Sequence, residues 1–403
     1  MFERHKVEDG SEEQFGTDIG AIVVNGDSQG LGIVRNLSEM GIPVHVIDYE
    51  LSIGRFSRCI QKFHKCPHVN NEEALVNFLI DLTKREGLWG WILFPTNDET
   101  VALLSRHKTL LSEYLRVWTP PWETISQVYD KRLTHQLADR VGVDSPKTVV
   151  AKSYEELNDI DIRFPAIIKP AVKDRFYAKT KSKALLANNM KELIKQFKRG
   201  ERVVASEELM IQEVIPGGAE HLYSYCSLFK DGIPKAKLMA RRARQHPMDF
   251  GHASTFVETI NIPELEEASL KLLRAIDYYG LSEVEFKYDN RDGKYKLLEI
   301  NARTWGWHSI GRRAGVNFSY LLYLDLIGEN PVANGYREGI KWVRLATDVP
   351  TVFIEWRKGN MRIRDYLSSM RGEKEFAVFS LKDPLPFFVE FLIAPYLRKR
   401  RGF

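Results

Sequence analysis

The chain has 403 residues, which is enough for two or three domains with sizeable hydrophobic cores. Hydrophobic residues make up 44% and charged residues 28%, as in ordinary soluble proteins, and a net charge of +4 is too small to indicate a nucleic-acid partner. Three cysteines exclude a disulfide framework and favour a reducing compartment. Because the polar start also lacks an apolar signal segment, these features predict a cytoplasmic protein.

The first part of the chain is predicted to form an open α/β domain. After a flexible tail over residues 1–19, the segments "AIVV" (21–24) and "PVHVID" (43–48) indicate two strands separated by a polar turn and a helix. The segment "WILFPTND" (91–98) indicates a later strand that ends in polar residues. We therefore expect this domain over residues 20–120, with any ligand at the carboxyl ends of its strands.

The turn "NGDSQGLG" (25–32) leads from the first strand into the first helix. Its glycines do not fit the G-x-G-x-x-G pattern, so an NAD-dependent dehydrogenase is a weaker alternative for this domain. Within the turn, Asp27, Ser28 and Gly30 are candidate substrate contacts.

The segment "TPPWE" (119–123) breaks the pattern and indicates a domain boundary. From there to about residue 208, helices alternate with short strands, and strands dominate from 209 to 303. We expect a second domain over residues 121–330 and a C-terminal extension of short strands and helices over residues 331–403.

The segment "SEVEFKYDNRDGKYKLLEIN" (282–301) is a candidate β-hairpin, and the length of its turn decides which residues face one another. A two-residue loop at Asp292-Gly293 would place Glu285 opposite Ile300. A three-residue loop that starts at Arg291 would place Glu285 opposite Glu299. The sequence leaves both registers open.

The second register would bring two carboxylates to within about 5 Å, which is unfavourable unless a cation compensates. Magnesium prefers carboxylate and amide oxygens, so Glu285, Glu299 and Asn301 are candidate metal ligands. Arg303 lies two residues further on and is a candidate donor to phosphate oxygens. The alternative is a row of ordinary exposed strand residues in which Arg303 pairs with a carboxylate.

This hairpin resembles the metal-binding strands of the ATP-grasp superfamily. The likeness extends over residues 115–330 in chain order, through "YDKRLTHQLADRVGVDSPKT" (129–148), "FPAIIKP" (164–170) and "IQEVIPGGAE" (211–220). The resemblance implies an α/β (α+β grasp) fold, in which an N-terminal open α/β domain precedes an ATP-grasp domain with a lid subdomain at about 145–208.

The resemblance also implies roles for single residues. Two lysines would reach the phosphates of ATP, three hinge residues would meet the adenine edge, and one glutamate would bind the ribose. The two lysines are Lys131 and Lys169, the hinge residues are Glu213, Val214 and Ile215, and the glutamate is Glu220. Two Mg²⁺ ions, which Mn²⁺ could replace, would bind Glu285, Glu299 and Asn301, and Arg303 would hold the transferred phosphate.

Two further segments resemble the branch of the superfamily that joins carboxylates to amines. In "RRARQHPMDFGHASTFVET" (241–259), Arg244 is the best candidate for contact with an acyl phosphate. Other residues of this segment would contact phosphate or border the substrate, namely Arg241, Arg242, Gly251, His252 and Ser254. The segment after the hairpin would line the acceptor pocket through Trp305, Trp307 and His308.

One segment departs from the family pattern. The family places a glycine-rich loop over the phosphates, but the corresponding stretch "AVKDRFYAKTKSKA" (171–184) has no glycine. Its basic residues are Lys173, Arg175, Lys179, Lys181 and Lys183. They are either side-chain substitutes for the glycine loop or a basic surface loop.

The C-terminal extension contains the apolar segment "PLPFFVEFLIAPYL" (384–397), followed by "RKRR". It is either a terminal helix docked on the protein or an interfacial anchor whose basic flank gives weak membrane-surface contact through residues 384–401. No apolar run reaches the length of a transmembrane helix.

The motifs predict an ATP-dependent, ADP-forming carboxylate–amine ligase that makes an amide from small molecules through an acyl phosphate. The alternative from another class is a non-catalytic ATP-binding protein of the same fold, acting as a scaffold or sensor. The missing glycine loop is the observation that favours this alternative.

Overall fold

A computed structural model describes residues 19–172, 176, 179–180, 182–248 and 253–401. Five of the basic or substrate-bordering candidates therefore lie outside the described residues. They are Lys173, Arg175, Lys181, Gly251 and His252.

The first domain contains a parallel four-stranded sheet in the order β3-β2-β1-β4. The strand β1 is completely buried, which fits an all-apolar segment covered on both faces by helices. The strands are β1 (Ala21–Val24), β2 (Val44–Asp48), β3 (Lys62–Lys65) and β4 (Ile92–Pro95), and the helices are α1 (Ser28–Ser38), α2 (Glu72–Glu86), α3 (Asp98–Arg106) and α4 (Lys108–Leu111). The predicted open α/β architecture is confirmed.

Two consecutive helices, α5 (Trp122–Tyr129) and α6 (Lys131–Val141), lead into a small antiparallel sheet. One face of this sheet is apolar and is covered by the helix α7 (Met190–Glu201). The strands run in the order β5-β8-β6-β7 and are β5 (Thr148–Val150), β6 (Ala166–Pro170), β7 (Leu185–Ala187) and β8 (Leu209–Glu213). We call this unit the small sheet.

The largest sheet has seven strands in the order β13-β12-β9-β10-β11-β14-β15. Its strands are β9 (Leu222–Lys230), β10 (Ile233–His246), β11 (Ala253–Ile260), β12 (Gly280–Asp289), β13 (Lys294–Asn301), β14 (Lys341–Val343) and β15 (Lys374–Phe376). The last two strands come from the C-terminal extension, which is therefore part of this central sheet.

The remaining helices cover the central sheet and its C-terminal edge. They are α8 (Pro263–Ala275), α9 (Ile310–Ala314), α10 (Phe318–Leu326), α11 (Leu345–Arg357), α12 (Ile363–Ser369) and α13 (Leu385–Arg401). Four short 3-10 turns occupy Ile53–Phe56, Glu155–Asp159, Ser206–Glu208 and Ala219–His221.

The two faces of the central sheet belong to different cores. On one face, Cys226, Leu238 and Val257 pack with Leu31 and Val34 of the first domain. The other face carries Tyr225, Val284 and Leu297, which pack with α5, α6 and α8. The central sheet thus joins the first domain to the second through a continuous apolar interface.

Candidate functional site

The β12–β13 hairpin places Glu285 opposite Glu299 and Glu283 opposite Asn301. The register that favours a metal site is therefore confirmed. Neither of the two loop lengths considered from the sequence occurs, because Asp289 pairs with Lys294 and leaves a four-residue loop.

A β-bulge reconciles the longer loop with the favourable register. The ladder shifts between Glu285 and Phe286, where Phe286 pairs with Leu297 and Leu298 is left without a partner residue. The extra residue lets Leu297 enter the core while Glu299, two positions later, faces the site. Regular alternation would have put both side chains on one face.

The cluster beside this hairpin contains three glutamates. The side-chain nitrogen of Asn301 donates to Glu283 at 3.1 Å and to Glu285 at 2.9 Å, and Ser224 donates to the other oxygen of Glu283 at 3.0 Å. Burial and the neighbouring charge of Glu285 raise the pKa of Glu283 well above its ordinary value. The site therefore concentrates negative charge that a cation would stabilise.

Three basic side chains lie near the glutamates, and two of them, Arg242 and Lys131, contact a glutamate directly. Arg242 donates to Glu285 at 3.0 Å, and Lys131 forms an ion pair with Glu299. Burial by itself would lower the pKa of Arg242, but the charges of Glu285 and Glu283 outweigh it and raise that pKa. These contacts place Lys131, predicted to bind phosphate, directly beside a predicted metal ligand.

Arg303 joins the hairpin to the first domain. Its guanidinium donates to both carboxylate oxygens of Asp98, at 2.7 and 3.2 Å, and to the side-chain oxygen of Asn301 at 3.2 Å. Asp98 is the first residue of α3, directly after the polar end of β4. The carboxyl edge of the parallel sheet and the end of β13 therefore meet at this arginine.

Arg244 does not face the glutamates. A bulge between Arg242 and Arg244 separates the two side chains, and Arg244 is buried in a two-pronged ion pair with Asp348, with both distances 2.8 Å. It also lies over the ring of Phe256, 4.1 Å from the centroid. The arginine in contact with the cluster is Arg242, which the motif reading ranked lower; the role predicted for Arg244 stays a prediction.

Lys169 projects from β6 on the face of the small sheet that α7 does not cover. Its ammonium donates to the side-chain oxygen of Gln212 at 2.8 Å, and Gln212 in turn contacts Thr148 at 2.8 Å and His135 at 3.0 Å. Burial, aided by the charges of Lys169 and Lys131, lowers the pKa of His135 to about 3. This polar row holds the Lys169 ammonium beside Gln212.

The predicted adenine hinge follows β8. The backbone N–H groups of Glu213 and Val214 already donate to the carbonyls of Lys147 and Pro165, at 3.0 and 2.9 Å. The side chain of Glu213 accepts from Arg291 at 3.1 Å, which ties the small sheet to the hairpin loop. Its contacts are thus structural, and the nucleotide role of this segment stays a prediction.

Ile215, the last residue of the predicted hinge, is buried, whereas Glu220 is exposed on a short turn. Glu220 accepts from the backbone N–H of Gly218 at 3.0 Å and lies 3.5 Å from the His221 ring nitrogen. An exposed carboxylate at the end of this segment remains accessible to a hydroxylated ligand.

A pocket opens beside the carboxylate cluster, between α3, α5 and the end of β13. Its apolar wall includes Ile125, Val128 and Tyr129. Its polar lining contains residues from both domains, namely Asp98, Glu99, Lys131, Glu299 and Asn301. One predicted phosphate residue, Lys131, and two predicted metal ligands, Glu299 and Asn301, therefore border one cavity.

The aromatic residues after the hairpin do not line that pocket. Trp305, Trp307 and His308 are buried in the core between α1 and the central sheet. The predicted acceptor-pocket role is wrong in this structure, because the chain turns back after Arg303 and packs these rings against the first domain. A Cβ on Gly32 would lie 2.9 Å from the His308 ring, so the glycine permits this contact.

The turn at the start of α1 comes close to the hairpin. Gln29 donates to the backbone and hydroxyl oxygens of Thr304, at 2.6 and 3.0 Å. Gly30 is required by packing, since a Cβ there would lie 2.1 Å from the carbonyl oxygen of Asn25. The substrate contacts predicted for Asp27, Ser28 and Gly30 remain predictions near the site.

The donor set suits a hard divalent cation. Glu285 and Glu299 face each other, and carboxylate oxygens are the ligands that Mg²⁺ prefers. Among the described residues, no three His, Cys, Asp or Glu side chains already converge as a metal site. Cation binding would therefore exchange the Arg242 and Lys131 contacts and turn the Asn301 amide so that its oxygen faces the ion.

Comparison with known proteins supports the architecture. The family described as "Carbamoyl-phosphate synthase L chain, ATP binding domain" matches residues 241–316. The chain is 22% identical over 362 residues to D-aspartate ligase of Enterococcus faecium (strain Aus0004), which covers 84% of this chain and 85% of that protein. The family match and this relative support the ATP-grasp resemblance carried by the motifs.

Solved ATP-grasp structures share the fold. L-amino acid ligase from Bacillus licheniformis aligns with a TM-score of 0.58 at 14% identity, over 77% of this chain and 74% of that one. The biotin carboxylase domain of 2-oxoglutarate carboxylase from Hydrogenobacter thermophilus, in complex with MgADP, aligns with a TM-score of 0.64 at 16% identity. That match covers 81% of this chain and 74% of the other.

Three residues of this site were missed or ranked low in the prediction from sequence motifs. Glu283 was treated only as the partner of Asn301, Arg242 was ranked below Arg244, and Asp98 was not singled out. The polar end of "WILFPTND" was a signal for Asp98, because ligand sites lie at the carboxyl ends of parallel strands. No sequence signal distinguishes Arg242 from Arg244, since the bulge between them depends on sheet pairing.

Proposed function

We propose that the protein is an ATP-dependent carboxylate–amine ligase that forms an amide bond through an acyl phosphate. The observation that carries this proposal is that Lys131, Glu299 and Asn301 line one pocket in an ATP-grasp fold. Glu285 and Arg303 lie directly behind them, in contact with the side chain of Asn301. Its relatives include a D-aspartate ligase and an L-amino acid ligase, which favours amino acids as substrates.

ATP is proposed to bind between the small sheet and the central sheet. Lys169 contacts Gln212 of the small sheet, Lys131 pairs with Glu299 of the central sheet, and the two ammonium groups would balance the charge of the triphosphate. The segment from Glu213 to Ile215 would hold the adenine, and Glu220 the ribose. Two Mg²⁺ ions, or Mn²⁺ in their place, would be held by Glu285, Glu299 and Asn301 and would supply charge neutralisation at the phosphates.

The chemistry balances in two steps. A carboxylate oxygen of the acid attacks the γ-phosphorus of ATP, the bond to ADP breaks, and an acyl phosphate forms. The amine nitrogen then attacks the acyl carbon, inorganic phosphate leaves and the amine loses a proton. Arg303 and Arg242, which contact Asn301 and Glu285, would hold the oxygens of the transferred phosphoryl group, since phosphoryl transfer mainly requires positioning and charge stabilisation.

The experiment that tests this function is ADP release with a panel of carboxylates and amines, offered singly and in pairs. D-aspartate and other amino acids come first in the panel because of the relatives' substrates. We expect metal-dependent ADP release that requires one acid, with amide formed only when the amine is added. ATP binding without turnover across the panel would instead support the scaffold alternative, which the glycine-free segment 171–184 favours.

A further inference from the structure

The C-terminal helix α13 has an apolar outer face. The side chains on this face are large and between 39% and 85% exposed when the preceding Leu381 is included. They are Leu381, Leu385, Phe388, Phe391, Leu392 and Tyr396. The spacing of Leu385, Phe388, Leu392 and Tyr396 puts them along one stripe of the helix.

The opposite face of α13 is held by the protein. Val389 and Ile393 are buried in the core that α1 and the central sheet share. The ring of Phe387 packs edge-on against Phe379, with 5.2 Å between centroids. The helix is therefore fixed in place, and its exposed apolar stripe is not the inner face of a detached segment.

The acidic residues of this segment point inward. Asp383 is buried and accepts from Arg35 at 2.9 Å and from Ser57 at 2.7 Å. Glu390, the only charged residue between 384 and 397, is buried and pairs with Arg344 at 2.8 Å. The outer face therefore carries no negative charge from its own helix.

The charges that flank the stripe are positive. The side chain of Lys382 is 90% exposed at the start of the segment, with Glu39 3.7 Å away. The sequence "RKRR" (398–401) follows the apolar residues at the other end. An apolar stripe between basic ends is typical of helices that lie in the interface of an anionic membrane.

Other helices of the C-terminal extension also carry exposed apolar side chains. Twelve of the 22 large hydrophobic side chains that are exposed in the described part of the chain lie between Val349 and Tyr396. On α11, Phe353 and Trp356 are 52% and 45% exposed, and Arg357 lies over the Phe353 ring. Such a concentration marks an interaction surface, because scattered hydrophobics would be spread over the whole protein.

We propose that the outer face of α13 docks on the surface of an anionic lipid bilayer. The apolar side chains enter the boundary between headgroups and acyl chains, while the basic ends contact lipid phosphates. A second copy of this chain fits the face less well, since its basic ends would repel each other. Within the described residues no helix has the length and apolarity needed to cross a membrane, so the contact is peripheral.

The test is flotation of the full-length protein with two kinds of vesicle. One is phosphatidylcholine alone, and the other is phosphatidylcholine with about 30% phosphatidylglycerol, which makes the surface anionic. We expect flotation with the anionic vesicles, weakening as NaCl is raised, because salt screens the basic ends. The variant Phe388→Gln/Leu392→Gln should lower the partition coefficient at least about tenfold, since two large apolar side chains no longer enter the lipid. Its ATP turnover should be unchanged.

A matched control replaces two exposed hydrophobic side chains that lie outside α13. Ile233 and Val332 are 48% and 58% exposed, so Ile233→Gln/Val332→Gln should float like the wild type. Replacing Arg398, Lys399, Arg400 and Arg401 with glutamine should weaken binding to anionic vesicles by about fivefold per charge while leaving residual apolar binding.

Two results would overturn the proposal. One is the absence of flotation with anionic vesicles at low salt. The other is wild-type flotation by Phe388→Gln/Leu392→Gln. If sedimentation velocity shows a dimer that this variant dissociates, and vesicles recruit neither protein, the face is a self-association surface and the lipid assignment is wrong.

Discussion

Glu299 is the most accessible of the three clustered glutamates. Its side chain is 25% exposed, whereas Glu283 and Glu285 are buried beneath it. It faces Glu285 across the hairpin, pairs with Lys131 and borders the pocket. A ligand entering from the pocket therefore meets Glu299 before the two inner glutamates.

We predict that Glu299→Gln lowers metal-dependent ADP formation at least about a hundredfold, because the amide keeps the shape but loses the charge that would hold the cation. Coupled ADP release at increasing Mg²⁺ measures this effect. The matched control is Glu267→Gln on α8, whose carboxylate is exposed on the surface and pairs with Lys271. Full activity of Glu299→Gln at ordinary Mg²⁺ would remove the residue from the metal site.

His308 should make stability depend on pH. Burial lowers its pKa to about 4, and its ring nitrogen Nδ1 lies 3.0 Å from the Trp305 carbonyl oxygen. A group with a lowered pKa contributes stability that is complete above its unfolded value near 6.5 and is lost as pH falls towards 4. Acidification therefore favours unfolding at the interface between the two domains.

Replacing His308 with glutamine should shrink the difference between the free energies of unfolding at pH 7 and pH 5 by about 2 kcal/mol. Urea unfolding at the two pH values measures it. Some pH dependence of the unfolding free energy should remain in the variant, because burial also lowers the pKa of His45 to about 4 and of His135 to about 3. An unaltered slope would mean that His308 does not stay neutral in the fold.

At the scale of single elements, the hairpin separates what the sequence could predict from what it could not. Alternation left two registers open, the family motif favoured the one in which Glu285 faces Glu299, and the structure has this pairing. Neither loop length considered from the sequence occurs, because a four-residue loop and a bulge at Leu298 together give the register of a three-residue loop. Two consecutive leucines, Leu297 and Leu298, give no sign of which one leaves the ladder.

The loop of this hairpin should be a stability element only. Gly293 has φ of +71°, and a Cβ added there would meet nothing closer than the Tyr288 hydroxyl at 3.7 Å. We predict that Gly293→Ala costs about 1 kcal/mol of unfolding free energy through the left-handed backbone alone. Thermal unfolding and ADP release should show a lower Tm with unchanged turnover; reduced turnover at a temperature well below Tm would show that the loop controls the glutamates.

The positions of Arg244 and of the aromatic segment after the hairpin could not be predicted for a different reason. Their chemistry suits a substrate pocket, but Arg244 pairs with Asp348, which is more than a hundred residues away along the chain. Trp305 and Trp307 are buried by α1 from the first domain. Residue type and local alternation carry no information about partners that come from distant segments.

At the scale of the whole molecule, the open α/β architecture and the ATP-grasp fold were predicted, since long apolar strands and ordered motifs survive in the sequence alone. The sequence did not predict that residues after 330 would extend the central sheet. The strands β14 and β15 have three residues each, which is too short for a clear alternation.

An ion pair between Arg303 and Asp98 joins the two domains. Because Asp98 grips the guanidinium with both oxygens, the first domain fixes the direction in which Arg303 points. We predict that Asp98→Asn lowers kcat by about ten- to hundredfold with a smaller change in KM for ATP, through misplacement of this arginine. Asp81→Asn, on the exposed face of α2, is the control and should leave both constants unaltered. A wild-type kcat for Asp98→Asn would separate the first domain from the chemistry.

The most direct test of the ligase assignment follows an oxygen atom. With the acid identified by ADP release, its carboxylate is labelled with ¹⁸O and the phosphate released during amide formation is examined by mass spectrometry. Attack of the carboxylate on ATP predicts one ¹⁸O in each phosphate formed, because that oxygen bridges the acyl carbon and phosphorus. Phosphate that carries no label while ADP and amide form in equal amounts would contradict the acyl-phosphate route.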